Sequence, residues 1–522
     1  MLSKLLLSKP LFILVAIVMA IAFVPVTALH WVAPNWEGLT QAQEIVGRLA
    51  GAAKEPGYRK GSPYFQAGDA QFSWEPGECW SFGFAKQNLT ADPVIRANIL
   101  NGRYAVAGYA SDVMSTGIAD DLFAKAVYLD DNTRRGGILY ASVDCIGLSN
   151  TDVNRIRALV WDWARAAGIR SIQVAATHTH AGIDTIGMWR FRTLDGKDPQ
   201  FQRLLIEKTA LAMREAYENR QNGELHLAGA DAGNLIGDGR PPYVFDRTIT
   251  RFRFHPTQGG GPDFYMINAG CHPELAGSRN PIVSADFPAY MSRYILEATG
   301  AESMFIQGAQ GAMITANRHR GVDQLQPYGE EFARRVLDNA GEEIELPALL
   351  NITSVEFGVP IDNPVFLAAQ RIGMLNHTAY RERGLLPRYG IACELSYLRL
   401  GDETNSIDIL IQPGELAPEL AMGGFLDAET SANGTEHTRQ TLFGDLSGYP
   451  FASDRQVVFG LANNFIGYVL PENDFYVHRW LPYLMRGIDR FERNHYEETN
   501  SPGPKTARLM SEAWKALLDK VQ

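Results

Sequence analysis

The chain has 522 residues, 46% apolar and 20% charged, which excludes disorder and collagen-like repeats and supplies a core for one large domain or two smaller ones. Lys and Arg number 48 against 59 Asp and Glu, and the formal charge of −11 repels a polyanion, so nucleic acid is excluded as a partner. Cys79, Cys145, Cys271 and Cys393 lie far apart with no CxxC pair, against a zinc ribbon or a disulfide-dense scaffold, with one or two disulfides left open for an exported chain.

Lys4 and Lys9 precede an apolar run over residues 11–24, which Pro25 breaks and Val26-Thr27-Ala28 follows. A basic n-region, an h-region and a small-residue cleavage site predict export, to the periplasmic or extracellular face. The run is short of the roughly 20 residues that span a bilayer, but counting from Leu5 lengthens it enough for an uncleaved anchor. Residues 1–29 therefore read as a signal peptide or an N-terminal membrane anchor. Residues 30–80, rich in Gly, Pro and Trp, read as an extended segment with one helical piece over 41–53.

The main body, residues 81–500, alternates strand-like and helical runs. Residues 137–146 are β-rich, 151–167 have helical periodicity and 172–176 form a short β-run; the alternation returns at 264–269, 289–298 and 304–306, and again at 407–411 and 418–422. The pattern predicts an α/β fold, one large layered domain of mixed sheets flanked by helices. Residues 501–522 open on Pro-Gly-Pro and become a basic amphipathic helix through Leu509, Ala513, Leu517 and Leu518, suited to docking.

The chain has no G-x-S-x-G elbow, no H-E-x-x-H and no G-x-x-x-x-G-K-[ST], against a serine esterase, a zincin and a P-loop NTPase. Its signal lies in histidines that follow β-like runs: His178 and His180 in Ala176-Thr177-His178-Thr179-His180-Ala181-Gly182, and His272 in Cys271-His272-Pro273. Ligands collect at the carboxyl ends of strands in open α/β sheets, and an H-x-H pair on an extended segment sends both rings to one side. A metal site is the natural use, with a hydrogen-bonded structural histidine as the alternative for either cluster alone. Glu415, in the turn Gln412-Pro413-Gly414-Glu415 after residues 407–411, is a candidate oxygen ligand or a helix N-terminal acid.

These motifs resemble those of neutral, non-lysosomal ceramidases. Thr177-His178-Thr179-His180-Ala181-Gly182 is similar to their THTHSGP segment, Cys271-His272-Pro273 with Ser284-Ala285-Asp286-Phe287-Pro288 to their HP and SADFP segments, Gln412-Pro413-Gly414-Glu415 to their PGE turn, and residues 460–468 to the segment carrying a tyrosine. The motifs fall in the family's order between about Ala107 and Tyr496. The resemblance implies a ceramidase-like catalytic domain whose one zinc ion is held by His178, His272, Glu415 and Tyr468. It implies hydrolysis of the N-acyl amide of a ceramide-like lipid by a metal-activated water, at a membrane surface. His180 is implied for proton transfer or ligand orientation and Arg240, in Asp238-Gly239-Arg240-Pro241, for substrate contact.

Several positions depart from the family. Ala119 stands where its GIH segment has histidine, and in Gly311-Ala312-Met313-Ile314-Thr315 the aspartate and serine positions hold Ala312 and Ile314, with the Thr315 hydroxyl one residue away. The oxyanion tyrosine aligns with Trp480 without a gap and with Tyr496 with one. Residues 469–522 leave no room for the family's C-terminal immunoglobulin-like domain. The alternatives to an active hydrolase are a degenerate relative that binds an acylated ligand without turnover, and a protein with a structural zinc.

Overall fold

Eight strands build a larger sheet: β1 (Trp80–Asn88), β2 (Phe123–Asp130), β3 (Ile138–Val143), β4 (Ser171–Ala176), β5 (Gln221–Asp231), β6 (Thr248–Pro256), β7 (Phe264–Ala269) and β8 (Glu302–Gln307). They lie in the order β8-β7-β6-β5-β1-β2-β3-β4, with Ile344–Leu346 added beside β5. A smaller sheet runs β9 (Leu350–Pro360), β10 (Arg388–Gly401), β11 (Ser406–Ile411), β12 (Gln456–Phe459), with Ala379–Glu382 beside β10. The computed structural model describes residues 62–190, 196–257, 259–317, 319–338, 340–382, 388–424 and 427–521. The leader of residues 1–29 and the helical piece expected over 41–53 lie outside the described residues.

Within the two sheets, three pairings are parallel: β3 with β4, β7 with β8, and β11 with β12. A parallel neighbour needs a crossover connection. Helix α1 (Asn150–Ala166) crosses from β3 to β4, α2 (Phe287–Thr299) crosses from β7 to β8, and the stretch holding α3 (Pro418–Met422) separates β11 from β12. These are the segments where sequence periodicity predicts β-α-β alternation. Ser149 caps α1 through the Asp152 N–H, and Asp286 caps α2, which ends at Gly300 with φ 74°.

Period-2 alternation sends one set of side chains from each sheet into a shared core. Phe82, Tyr140, Phe252 and Ile306 of the larger sheet meet Ile352, Leu398, Ile409 and Phe459 of the smaller. The outer face of the larger sheet is covered by α1 through Val153, Ile156 and Val160, and by α2 through Met291 and Ile295. The outer face of the smaller sheet is covered by α4 (Thr506–Lys520), whose Trp514 and Leu517 pack with Leu395 and Tyr397. The layers therefore run helix, sheet, sheet, helix, an α/β architecture of mixed sheets.

Before β1 the chain lies along β9: Asp69 N–H donates to Ile352 O at 2.6 Å and Gly77 N–H to Ala348 O at 2.8 Å. All four cysteines are free thiols. Among the described residues no helix is long and apolar enough to cross a membrane.

One buried ion pair ties the two sheets together past the β4 edge. Arg157 of α1 donates to both Glu394 oxygens on β10, at 2.7 and 2.8 Å, and also to Ile172 O. Removing one partner leaves a buried charge without its counter-charge. Arg157→Ala is expected to lose about 3–5 kcal/mol in denaturant unfolding, and Arg157→Met with Glu394→Leu to recover most of it. A single variant within ~1 kcal/mol of wild type would mean that the pair does not hold the layers.

Candidate metal centre

The three parallel units point their carboxyl ends to one place. His178 and His180 follow β4, His272 follows β7, Glu415 follows β11, and Tyr468 lies beyond β12. The last two meet directly, because Glu415–Leu416 and Tyr468–Val469 form a short parallel ladder with Glu415 opposite Tyr468. Residues opposite one another in such a ladder project to the same side.

His178 and His272 are 2% and 3% exposed, and both turn Nε2 to one Glu415 oxygen, at 3.4 and 3.1 Å. Their other nitrogens face backbone carbonyls: His178 Nδ1 lies 2.6 Å from Ile146 O and His272 Nδ1 2.7 Å from Met313 O. A carbonyl accepts only, so each Nδ1 carries a proton and turns Nε2 to the Glu415 carboxylate, a position that takes a second proton without an ion and offers its lone pair when one binds. The ring centroids of His178, His180 and His272 lie 4.8, 4.9 and 5.4 Å apart.

The H-x-H pair brings both rings to one side, though not by extended backbone. His178 has φ 68°, in the left-handed region that a non-glycine residue enters at a cost of order 1–3 kcal/mol. Its N–H donates to Cys145 O at 3.0 Å, which holds the turn.

Burial works against ionisation of Glu415, and the two imidazoles outweigh it, drawing the carboxyl down to about 2. Burial likewise works to lower His272, and the Glu415 carboxylate leaves it raised. His180 is held well below 6.5, first by burial and then by the two neighbouring histidines, so it is neutral at pH 7. Both its ring nitrogens are buried with no hydrogen-bond partner. Tyr468 is pushed up by burial and then by Glu415, which keeps the phenol protonated.

This chemistry fits a divalent ion. Two anchored imidazoles and an ionised carboxylate converge beside a phenol, and a third imidazole offers unpartnered nitrogens within 4.8 Å of the other two. Tyr468 stacks at 6.4 Å on His272, and Tyr496 stands edge-on to Tyr468 at 6.5 Å, 39% exposed at the rim. The other aligned aromatic, Trp480, is 57% exposed.

Two residues named from the sequence stand apart. Arg240 is 3% exposed, and its guanidinium pairs with Asp474 at 2.6 Å and Glu498 at 2.9 Å. Thr315 ends the short strand Met313–Thr315, paired with Ile236–Asp238. It shares the side of Met313, which lies in the core under α2, and its buried hydroxyl has no partner. Ile314 alternates to the opposite side. Instead of a hydroxyl, the loop supplies Met313 O, which accepts from both the His272 backbone N–H and Nδ1. Ala119 N–H donates to Val283 O, and the next residue, Asp120, holds Ser284 Oγ and Ala285 N–H, so this segment braces the one before α2.

Sequence reasoning missed the amides that bring the strand ends together. Gln307, closing β8, donates to Thr177 O at 3.1 Å and Cys271 O at 3.0 Å and accepts from Cys271 N–H, cross-tying the residues before His178 and His272. Gln412 donates to Gly414 O and accepts from Gly414 N–H, shaping the turn that delivers Glu415. Gly311 fits because a Cβ would stand 2.7 Å from Glu415 O. An amide at the end of an apolar strand was the available signal for Gln307. Also missed was a group beside His180: Tyr109, edge-on to its ring at 4.8 Å, bonds to Glu274, which Arg320 pairs at 2.6 Å.

Two solved structures share this architecture. One is the neutral ceramidase from Pseudomonas aeruginosa, with TM-score 0.60 and 15% identity over 85% of this chain and 75% of that one. The other is a ceramidase complexed with C2, with TM-score 0.60 and 14% identity over 85% and 76%. The chain has a neutral ceramidase-like fold. No family model and no curated protein matches the sequence.

The donor set predicts that added zinc raises the Tm of chelator-treated protein and that the His178→Ala, His272→Ala double variant loses the response. Gln307→Leu, which frees the two strand ends while leaving every donor in place, is expected to weaken metal affinity about 10–100-fold by calorimetry. An unchanged zinc response in the double variant would remove the assignment.

Proposed function

We propose that the protein is a metal-dependent hydrolase of the neutral ceramidase type, cleaving the N-acyl amide of a ceramide-like lipid. The observation that carries this reading is the meeting of His178, His272 and Glu415, with Tyr468 in register beside Glu415, at the strand ends of a neutral ceramidase-like fold. These four residues would hold the ion, and zinc suits their nitrogen and oxygen donors. When bound, such an ion supplies Lewis-acid polarisation of a carbonyl and activation of water.

The chain's own groups do the rest. The carbonyls of Ile146 and Met313 hold the two Nδ1 protons and keep each Nε2 lone pair directed inward. Glu415, ionised at neutral pH, brings the negative charge of the site. His180, buried with both ring nitrogens unpartnered beside His178 and His272, is the imidazole available to accept a hydrogen bond from water or substrate, for proton transfer or for orienting a ligand. Tyr496, at the exposed rim, is placed to meet the substrate as it enters. The leader of residues 1–29 supports export.

A second reading, a protein that binds an acylated ligand without turning it over, draws on one observation. Ile314 occupies the position of the family's serine while the Thr315 hydroxyl lies in the core.

A screen of short-chain N-acyl amides with the zinc-loaded protein tests both. Turnover is expected, with Glu415→Ala abolishing it and Thr315→Ala keeping most of it, because that hydroxyl points away from the site. Loss of turnover in Thr315→Ala at unchanged metal content would place the hydroxyl in the reaction. An inactive wild type that Ala312→Asp with Ile314→Ser converts to an amidase would decide for the second reading.

A further inference from the structure

Large exposed apolar side chains are not spread evenly over the molecule. Among the described residues there are seventeen, and seven of them lie between Trp480 and Tyr496: Trp480, Leu481, Leu484, Met485, Ile488, Phe491 and Tyr496. Singly scattered surface hydrophobics need no explanation, whereas a concentration of this kind marks a contact surface.

The segment is built to hold these residues outward. Between Leu481 and Leu484 the chain turns inward, with Pro482 buried and Tyr483, at φ 63°, 3% exposed and packed on Phe475. His478 Nδ1 accepts from the N–H groups of Trp480 and Leu481, at 3.3 and 3.1 Å. The ladder Gly487–Ile488 with Asn494–His495 closes the far end.

Its charge is opposite to that of the whole chain. Arg479, Arg486 and Arg490 alternate with the apolar residues, and their guanidinium groups lie over Trp480, Tyr496 and Phe491 at 5.1, 5.0 and 4.6 Å; Arg490 is also held by the carbonyls of Ala428, Glu429 and Ser431, which leaves Arg479 and Arg486 to meet phosphates. Four arginines, Arg479, Arg486, Arg490 and Arg493, stand against two acids in the stretch: Asp489, buried and paired with Arg493 and His495, and Glu492, exposed. Aromatic and aliphatic side chains interleaved with arginine are what the interface of an anionic bilayer takes up, rings and alkyl groups at the acyl boundary and guanidinium groups at the phosphates. The patch is also continuous with the metal centre, since Arg486 covers Tyr496, Tyr496 meets Tyr468, and Tyr468 stacks on His272.

We propose that the segment from Arg479 to Phe491 is a membrane-docking surface that seats the mouth of the site on an anionic lipid bilayer. This deepens the function proposed above, and the idea that substrate enters from that side rests on it. Docking itself does not.

The test is co-sedimentation of the full-length protein with vesicles of phosphatidylcholine alone and of phosphatidylcholine with phosphatidylglycerol. Wild type is expected to bind, more tightly when phosphatidylglycerol is present. Leu484→Ser, Met485→Ser and Ile488→Ser together are expected to weaken partitioning about tenfold on both vesicles. Arg479→Gln is expected to weaken it about fivefold on the anionic vesicles only. The leader is identical in every variant, so a triple variant that binds like wild type would show that another part of the chain carries the membrane contact. Wild type that binds neither vesicle would overturn the proposal in favour of a protein partner. Hydrolysis of a water-soluble short-chain amide by the triple variant is expected to match wild type. Vesicle binding without turnover of any amide would sink the hydrolase reading and leave the docking surface standing.

Discussion

Glu415 lies 3.1 Å from His272 Nε2 and 3.4 Å from His178 Nε2 at 3% exposure, and a carboxylate so deeply buried costs several kcal/mol unless positive groups or a metal surround it. Much of the architecture serves that one demand. Its neighbours come from strand ends nearly 240 residues apart in sequence, counted from His178 to Glu415, so two separate sheets must terminate at the same point. Packing the sheets face to face over one core achieves this only if their parallel units point the same way. Asn268 of β7 shows how the alignment is kept: its amide donates to Ile306 O and Gln307 O of β8 and to Val458 O of β12, joining both sheets just before the site.

Legibility in the sequence follows from how local each determinant is. Two β-α-β units, and the first strand and helix of the third, were readable because short, buried parallel strands such as Ser171–Ala176 and Phe264–Ala269 are apolar runs bounded by helical periodicity; the closing strand Gln456–Phe459 was not. The long antiparallel strands were not. Gln221–Asp231 alternates between the shared core and solvent but carries Gly223, Glu224, His226 and Gly229, which hide its period. Arg388–Gly401 places Glu394 in its interior, and that acid is acceptable only because Arg157 arrives from α1, a contact across 237 residues. The face-to-face packing of the sheets is a property of such distant pairs and has no local signature.

The site shows the same division. His178, His272 and Glu415 were legible because each sits one turn beyond a recognisable strand, where side chains converge regardless of the details between. Gln307 and Gln412 were not, because they act through backbone carbonyls and N–H groups, and a backbone group looks the same in every sequence. The left-handed backbone of His178 belongs to this class too: it is imposed by Cys145 O and the tie at Thr177, not by the residue type.

Arg240 illustrates how a charge can matter near a site without facing it. Its guanidinium meets Asp474 and Glu498, Glu498 accepts from His495 at 2.7 Å, and Asp474 and Asp489 both pair with Arg493. Those acids and bases lie at the base of the segment that carries Tyr496 and the exposed apolar patch. A buried network of this kind tolerates few alternative arrangements, since any shift strands a charge without a partner. The rim above the histidine cluster is therefore held from below by charge pairing, while its outer side chains face solvent.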